Sequence, residues 1–276
     1  MSPQYIVKSG STIRVNLPQN TLVDTRSFMA NFLGSTTTTT GFAAFPKHIE
    51  TLIESMSVEI GGQPIQPSTS SMNQVWKILA DYHLRDRESS RFLQNGSGTN
   101  VAPGANTTNV QYCITNWTPG FITTCQPEVI DTGALGDVSI VIKLSNAQPL
   151  ILSGTAAGAD YQLDKLEFSI DIISFDDGGR YYKMLEDLLS TGSPLEIPYQ
   201  YWVNTSAGPT NLPARVLSRV SSQSIDMIIL TCLPATLASV NNVDATTYTS
   251  DFFTRGSANI TSSGIWLNNV KYPMYV

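Results

Sequence analysis

The sequence predicts an all-β chain built of β-sandwiches, and three observations carry that prediction. Its apolar residues fall in short segments that alternate with polar residues or are β-branched. Stretches rich in Gly, Ser, Thr, Asn and Pro separate those segments. Only two segments carry the apolar period of an amphipathic helix.

Strands are predicted over 12–17, 27–33, 53–60, 110–117, 121–125, 138–144, 149–152, 163–174, 195–203, 224–231 and 265–272. The stretches 35–41, 96–109, 153–160 and 204–213 are the long polar loops, and the threonine run 36–40 belongs to the first of them. A helix over 72–84 would put Met72, Val75, Trp76, Leu79 and His83 on one stripe, with Ser71 and Gln74 as a capping-box pair. A second over 180–190 would align Tyr181, Met184, Leu185, Leu188 and Leu189 and end at Gly192. Each stripe gives a helix one surface to bury, and the expectation is that it buttresses its own sandwich.

An internal repeat follows the helices. Met56-Ser57-Val58-Glu59-Ile60 matches Phe168-Ser169-Ile170-Asp171-Ile172 by residue class, and Trp76-Lys77-Ile78-Leu79-Ala80-Asp81 matches Tyr182-Lys183-Met184-Leu185-Glu186-Asp187. Two copies of a sandwich carrying one helix each is the economical reading, with the boundary near residue 150, so that 53–84 and 165–190 would occupy equivalent places.

Composition narrows function. Of 276 residues only 14% are charged, against roughly 25% in ordinary soluble proteins, and uncharged polar residues take their place. Such surfaces are cheap to bury against neighbours. Net charge is −6 without any Lys/Arg run, so direct binding to nucleic acid phosphates is not expected. Residues 1–17 lack a secretory-signal pattern, and no apolar run approaches the roughly 20 residues of a membrane span. A soluble chain made in the cytoplasm of its host is the expectation. Cys113, Cys125 and Cys232 have no metal-ligand spacing and read as buried thiols, the alternative being a Cys113–Cys125 pair across a hairpin near Pro119-Gly120.

Catalytic chemistry finds little support. His48 and His83 are the two histidines, read as surface or capping residues, and no nucleophile-elbow, zinc-protease or phosphate-loop motif occurs. Glu50 with Glu54, or Glu167 with Asp171, could be offered as a glycosidase pair, but four residues apart along a strand they share what reads as a polar face. Asp176-Asp177-Gly178-Gly179 could hold a hard cation such as calcium. Its plainer reading is a strand-to-helix turn with an Asp N-cap. No catalytic site, cofactor or metal is therefore assigned, and Asp176 and Asp177 stand as the metal candidates. Trp76, Trp117, Trp202 and Trp266 read as core rather than as a sugar-binding groove, and the sequons at Asn106 and Asn204 matter only in a secreted eukaryotic chain.

The chain resembles the double jelly-roll major capsid proteins of tailless icosahedral viruses, and within them those of membrane-containing bacteriophages of the corticovirus and finnlakevirus type. The resemblance lies in Ser11-Thr12-Ile13-Arg14-Val15-Asn16-Leu17-Pro18, in 49–62 ending Ser57-Val58-Glu59-Ile60-Gly61-Gly62, and in 73–82. It continues in 166–189, in Pro194-Leu195-Glu196-Ile197-Pro198-Tyr199 and in Val220-Ser221-Ser222-Gln223-Ser224-Ile225-Asp226. It implies two tandem eight-stranded jelly rolls, 1–150 and 151–276, each with one short helix. It also implies homotrimers that act as pseudo-hexamers in a virion. Their partners would be neighbouring capsomers, vertex (penton) and minor capsid proteins, and an underlying lipid membrane. A carbohydrate-binding or adhesive β-sandwich is the alternative from another functional class.

Overall fold

The computed structural model describes residues 4–46, 48–66, 72–74, 104–117, 120–153, 156–176, 179–192, 194–205, 224–232, 264–267 and 270–272. The fold is all-β and antiparallel, with two sheets facing one another. The first is built from β1 (Gln4–Lys8), β3 (Leu22–Thr37), β7 (Val110–Ile114) and β11 (Asp160–Ile173) in the order β1-β11-β3-β7, and β8 (Val129–Asp131) also pairs with β3. The second holds β2 (Thr12–Asn16), β5 (Ile53–Ile60), β6 (Gln63–Gln66) and β9 (Val138–Leu144) in the order β2-β9-β5-β6. A two-residue ladder, β4 (Ala43–Ala44) on β10 (Ile151–Leu152), closes one end. With the short strands β4, β8 and β10 set aside, the main strands run first-eighth-third-sixth in one sheet and second-seventh-fourth-fifth in the other. That interleaving is the strand order of a jelly roll.

Alternation explains the core. Ile13 and Val15 on β2, Ile140 and Ile142 on β9, and Met56 and Val58 on β5 all point inward and are buried. From the other sheet come Phe28 and Phe32 on β3, Tyr112 on β7, and Tyr161 and Leu163 on β11. The aromatic rings meet in favourable tilted and edge-on geometries, Phe45 against Tyr112 at 5.1 Å and against Tyr161 at 5.8 Å, and Phe28 against Trp117 at 4.8 Å. Polar tips find partners. The Tyr161 hydroxyl donates to the Ser145 carbonyl (2.6 Å) and the Trp117 indole N–H to the Phe28 carbonyl (2.7 Å).

Two irregularities bend the central ladder without breaking it. Between Asp164 and Glu167 the register slips against β3, and Lys165 there adopts φ +51°. The extra residue resets which side chains face inward, so burial passes from Leu163 to Leu166 instead of Lys165. A larger shift on β3 lies before Met29, where the Ser27 hydroxyl donates to the Asp24 carbonyl (2.7 Å) and accepts the Asp171 N–H (2.7 Å).

Several expectations need correction. The boundary near residue 150 does not coincide with the edge of this sandwich, because β10 and the whole of β11 belong to it. For the same reason the apparent repeat does not mark equivalent places: β5 and β11 lie in the two facing sheets of one sandwich. Residues 121–125 form a helical turn, α1 (Phe121–Thr124), where a strand was expected, and β3 continues into the threonine run, with Thr36 buried and its hydroxyl donating to the Ala43 carbonyl (2.6 Å). A second turn, α2 (Thr132–Leu135), is capped by Asp131, and α3 (Arg180–Ser190) appears where expected. However, α3 starts at left-handed Gly179 rather than at an Asp cap, and buries no residue completely, Met184 being 64% exposed. Among the described residues no sheet covers its stripe. At 195–203 and 224–231 no strand pairing exists among the described residues, whereas 265–272 forms the hairpin β12 (Ile265–Leu267) and β13 (Val270–Tyr272). Of the helix expected over 72–84, Met72, Asn73 and Gln74 are helical, and the rest, Trp76 included, lies outside the described residues.

Packing at Gly34 yields a first prediction. A Cβ there, toward the C-terminal end of β3, would sit 2.6 Å from Phe45 Cε2 and 3.0 Å from Tyr112 Cε2. Gly34→Ala should therefore destabilise by about 1–3 kcal/mol as an overpacked core site. A lower urea midpoint at unchanged slope is the expected readout, and an unchanged midpoint would show that the rings yield freely. Alkali offers a second. Burial pushes the Tyr112 phenol up to about 12 and raises that of Tyr161 as well. Free tyrosine ionises near 10, so the stability held by these neutral phenols is complete below about pH 10. It is lost as pH rises toward 12. Tyrosinate absorbance should appear in two stages, the later one accompanying cooperative unfolding. Simple titration of all 11 tyrosines near pH 10 with the fold intact would contradict this.

Candidate functional site

The residues singled out for chemistry are dispersed. Glu50 is buried in a 3₁₀ turn, Ile49–Leu52, while Glu54 lies on β5 and pairs with Lys143 at 2.9 Å. Glu167 and Asp171 are both exposed on β11 and separated by its register shift. Asp176 is exposed beyond the end of β11, and Asp177 lies outside the described residues. Among the described residues no group of three or more His, Cys, Asp and Glu side chains could hold a metal ion.

Of the surface or capping role expected for it, His48 has the capping place, as the N-cap residue of the 3₁₀ turn. It is buried, and its carbonyl accepts both the N–H (3.0 Å) and the hydroxyl (2.6 Å) of Thr51, closing the 3₁₀ turn. His83 lies outside the described residues. Trp117 is core, whereas Trp266 on β12 is 58% exposed and Trp202 half-buried. Asn106 has an internal role, its carboxamide oxygen accepting the Ala43 N–H at 2.8 Å.

All three cysteines are free. Cys113 sits on β7 opposite Asn31, and Cys125 follows α1 with its sulfur 3.2 Å from the Thr25 hydroxyl, so the hairpin pairing of these two is not formed. Burial pushes both thiols up, with the Glu50 charge adding to the effect at Cys113.

The most developed polar geometry is a seam where 197–200 lies on the sandwich. Ile197 and Tyr199 are half-buried against its core while Glu196, Pro198 and Gln200 are exposed. The Tyr199 hydroxyl donates to the Ile65 carbonyl (2.6 Å), and its ring meets Phe121 edge-on at 5.4 Å. Gln126 N–H donates to the Pro198 carbonyl (3.0 Å), and Gln200 N–H to the Thr124 hydroxyl (2.9 Å). Nearby, Tyr181 of α3 donates to Asp131 (3.3 Å) beside an open groove of about 630 Å³ lined in part by Asn20, Tyr182, Leu185 and Leu189. The seam joins two parts of the chain and offers no nucleophile or acid–base pair. Sequence reasoning noticed 194–199 as a motif but not as a contact, since the alternation Ile197, Tyr199 does not say which surface it meets.

No known protein-family profile matches the chain, and no curated protein does. Solved structures that it resembles include viral ones. PBCV-1 VP54, fitted into a reconstruction of the virophage Sputnik, superposes with a TM-score of 0.38 at 16% identity, over 60% of this chain and 41% of that one. The STIV MCP gives 0.32 at 12% identity over 70% and 50%, and a chain of the Sulfolobus Turreted Icosahedral Virus structure gives 0.31 at 14% over 60% and 44%. The chain spans about half the length of these proteins or less.

Thiol chemistry supplies the prediction here. In native protein Cys125 should be the last cysteine alkylated, because a buried, raised thiol holds little thiolate at pH 7. Mass spectrometry after brief iodoacetamide treatment checks this, and early loss of Cys125 or a Cys113–Cys125 crosslink in non-reduced protein would contradict the geometry. With this chemistry set aside, what distinguishes the described residues is the jelly-roll strand order of their two sheets.

Proposed function

We propose that this chain is a major capsid protein, a structural subunit without catalytic activity. The observation that carries the reading is the strand order of the two sheets, β1-β11-β3-β7 and β2-β9-β5-β6, which is that of a jelly roll. The charge-poor composition fits subunits packed against one another.

In this reading residues after Ile173 belong to a second jelly roll, so the division lies between Ile173 and Arg180. Three chains form a pseudo-hexameric trimer that tiles an icosahedral virion with its neighbours, beside vertex and minor capsid proteins. The net charge of −6 argues against direct contact with the genome. A lipid membrane beneath the shell, as in membrane-containing bacteriophages, would separate the two.

The trimer should have a mass of about 90 kDa, three chains of 30.0 kDa. It should persist from low salt to about 1 M, because screening weakens exposed charge pairs and leaves apolar and uncharged polar contacts intact. Light scattering at both salt levels decides it. A monomer at both would refute the shell subunit and favour a free carbohydrate-binding module. Dissociation only at high salt would mean that ion pairs hold the subunits.

A further inference from the structure

We propose that the segment 197–200 is a latch, an extended strap seated in a preformed slot of the jelly roll, that sets how the second half of the chain is held on the first. The slot is held by contacts that do not involve the strap. Gly120 leaves no room for a Cβ because the Gln66 carboxamide occupies that space, and this buried carboxamide accepts the Phe121 N–H at 2.7 Å. Gln66 thereby fixes α1, which presents the Phe121 ring and the Thr124 hydroxyl to the strap.

The strap matches the slot at both spacings. Its inward residues, Ile197 and Tyr199, fall on apolar wall, as period-two alternation requires. Its backbone meets the slot at Pro198 and Gln200. Thr124 serves twice: its oxygen accepts the Gln200 N–H, and its single proton lies between the carbonyls of Gly120 and Gln200, each 2.8 Å away. The slot thus holds the strap's main-chain groups at Pro198 and Gln200 while its alternate side chains select, as when an extended peptide is recognised. On its far side the strap is tied onward, the Gln200 carboxamide donating to Asp226 at 2.8 Å. A joint bonded to both halves transmits the position of one to the other. In the shell reading, on which this last consequence rests, the latch fixes the face that each subunit turns to its neighbours.

The test uses full-length protein carrying Thr124→Val with Tyr199→Phe, which removes the hydroxyls and keeps the shapes. Amide exchange at Gln126 and Gln200 should quicken about tenfold, since each lost hydrogen bond is worth on the order of 1 kcal/mol. The radius of gyration from solution scattering should rise, while amide protection along the β3–β11 ladder stays unchanged. Should the double variant not fold, Tyr199→Phe alone must still speed Gln200 exchange by at least about twofold. Parent protein with Gln126 and Gln200 already unprotected, or a variant with unchanged exchange or unchanged radius, overturns the latch. A monomeric parent that shows the expected changes would refute the shell subunit and leave the latch standing.

Discussion

The antiparallel ladder between β3 and β11 is the contact on which the rest of the structure depends. These are the longest strands, 16 and 14 residues, and every other strand of their sheet hangs on one of them: β1 on β11, β7 and β8 on β3. Their inward faces supply Phe28, Phe32, Tyr161 and Leu163 to the core. The pairing joins residues more than 120 positions apart, as Asp160 opposite Thr37 illustrates. Closing so long a loop costs entropy before it is repaid, so the jelly roll should complete late in folding. Its two bulges keep the ladder continuous while the sheet curves over its partner.

That dependence explains what was legible in the sequence. Strands whose alternation is clean, such as those containing Ile13 and Val15 or Ile140 and Ile142, were readable because period two needs no knowledge of the partner. The helix over 180–190 was readable through its stripe and Gly192, which adopts φ +75°. What local pattern cannot reveal is the neighbour. Phe168-Ser169-Ile170-Asp171-Ile172 resembles Met56-Ser57-Val58-Glu59-Ile60 because any half-buried strand has that cadence, and the likeness does not give the two segments equivalent places. The burial of His48 escaped notice for a related reason, since it follows from the 3₁₀ turn closed by Thr51. Of the seam, 194–199 stood out as a motif, yet its fit to Phe121, Thr124 and Gln126 depends on Gly120 and Gln66, a long way off in sequence.

Among the described residues electrostatics takes a minor part. The ion pairs Arg14–Glu59, Arg26–Glu128 and Lys143–Glu54 are all partly exposed, and such pairs seldom contribute more than about 1 kcal/mol. Threonine, serine and asparagine hydroxyls and carboxamides do the local work instead: Thr36 with Ala43, Asn106 with Ala43, Thr132 with Pro18 and Thr21. Uncharged groups of this kind satisfy loop backbone without ion pairs.

The central claim is that copies of this chain form a closed viral shell. Its most direct test is electron microscopy of particles sedimented from the native source, labelled with antibody raised against this chain. Icosahedral particles evenly decorated over their faces, with the chain as their most abundant protein, are the predicted result. Label confined to the unsedimented fraction, or to sparse projections on particles built of another protein, would contradict it.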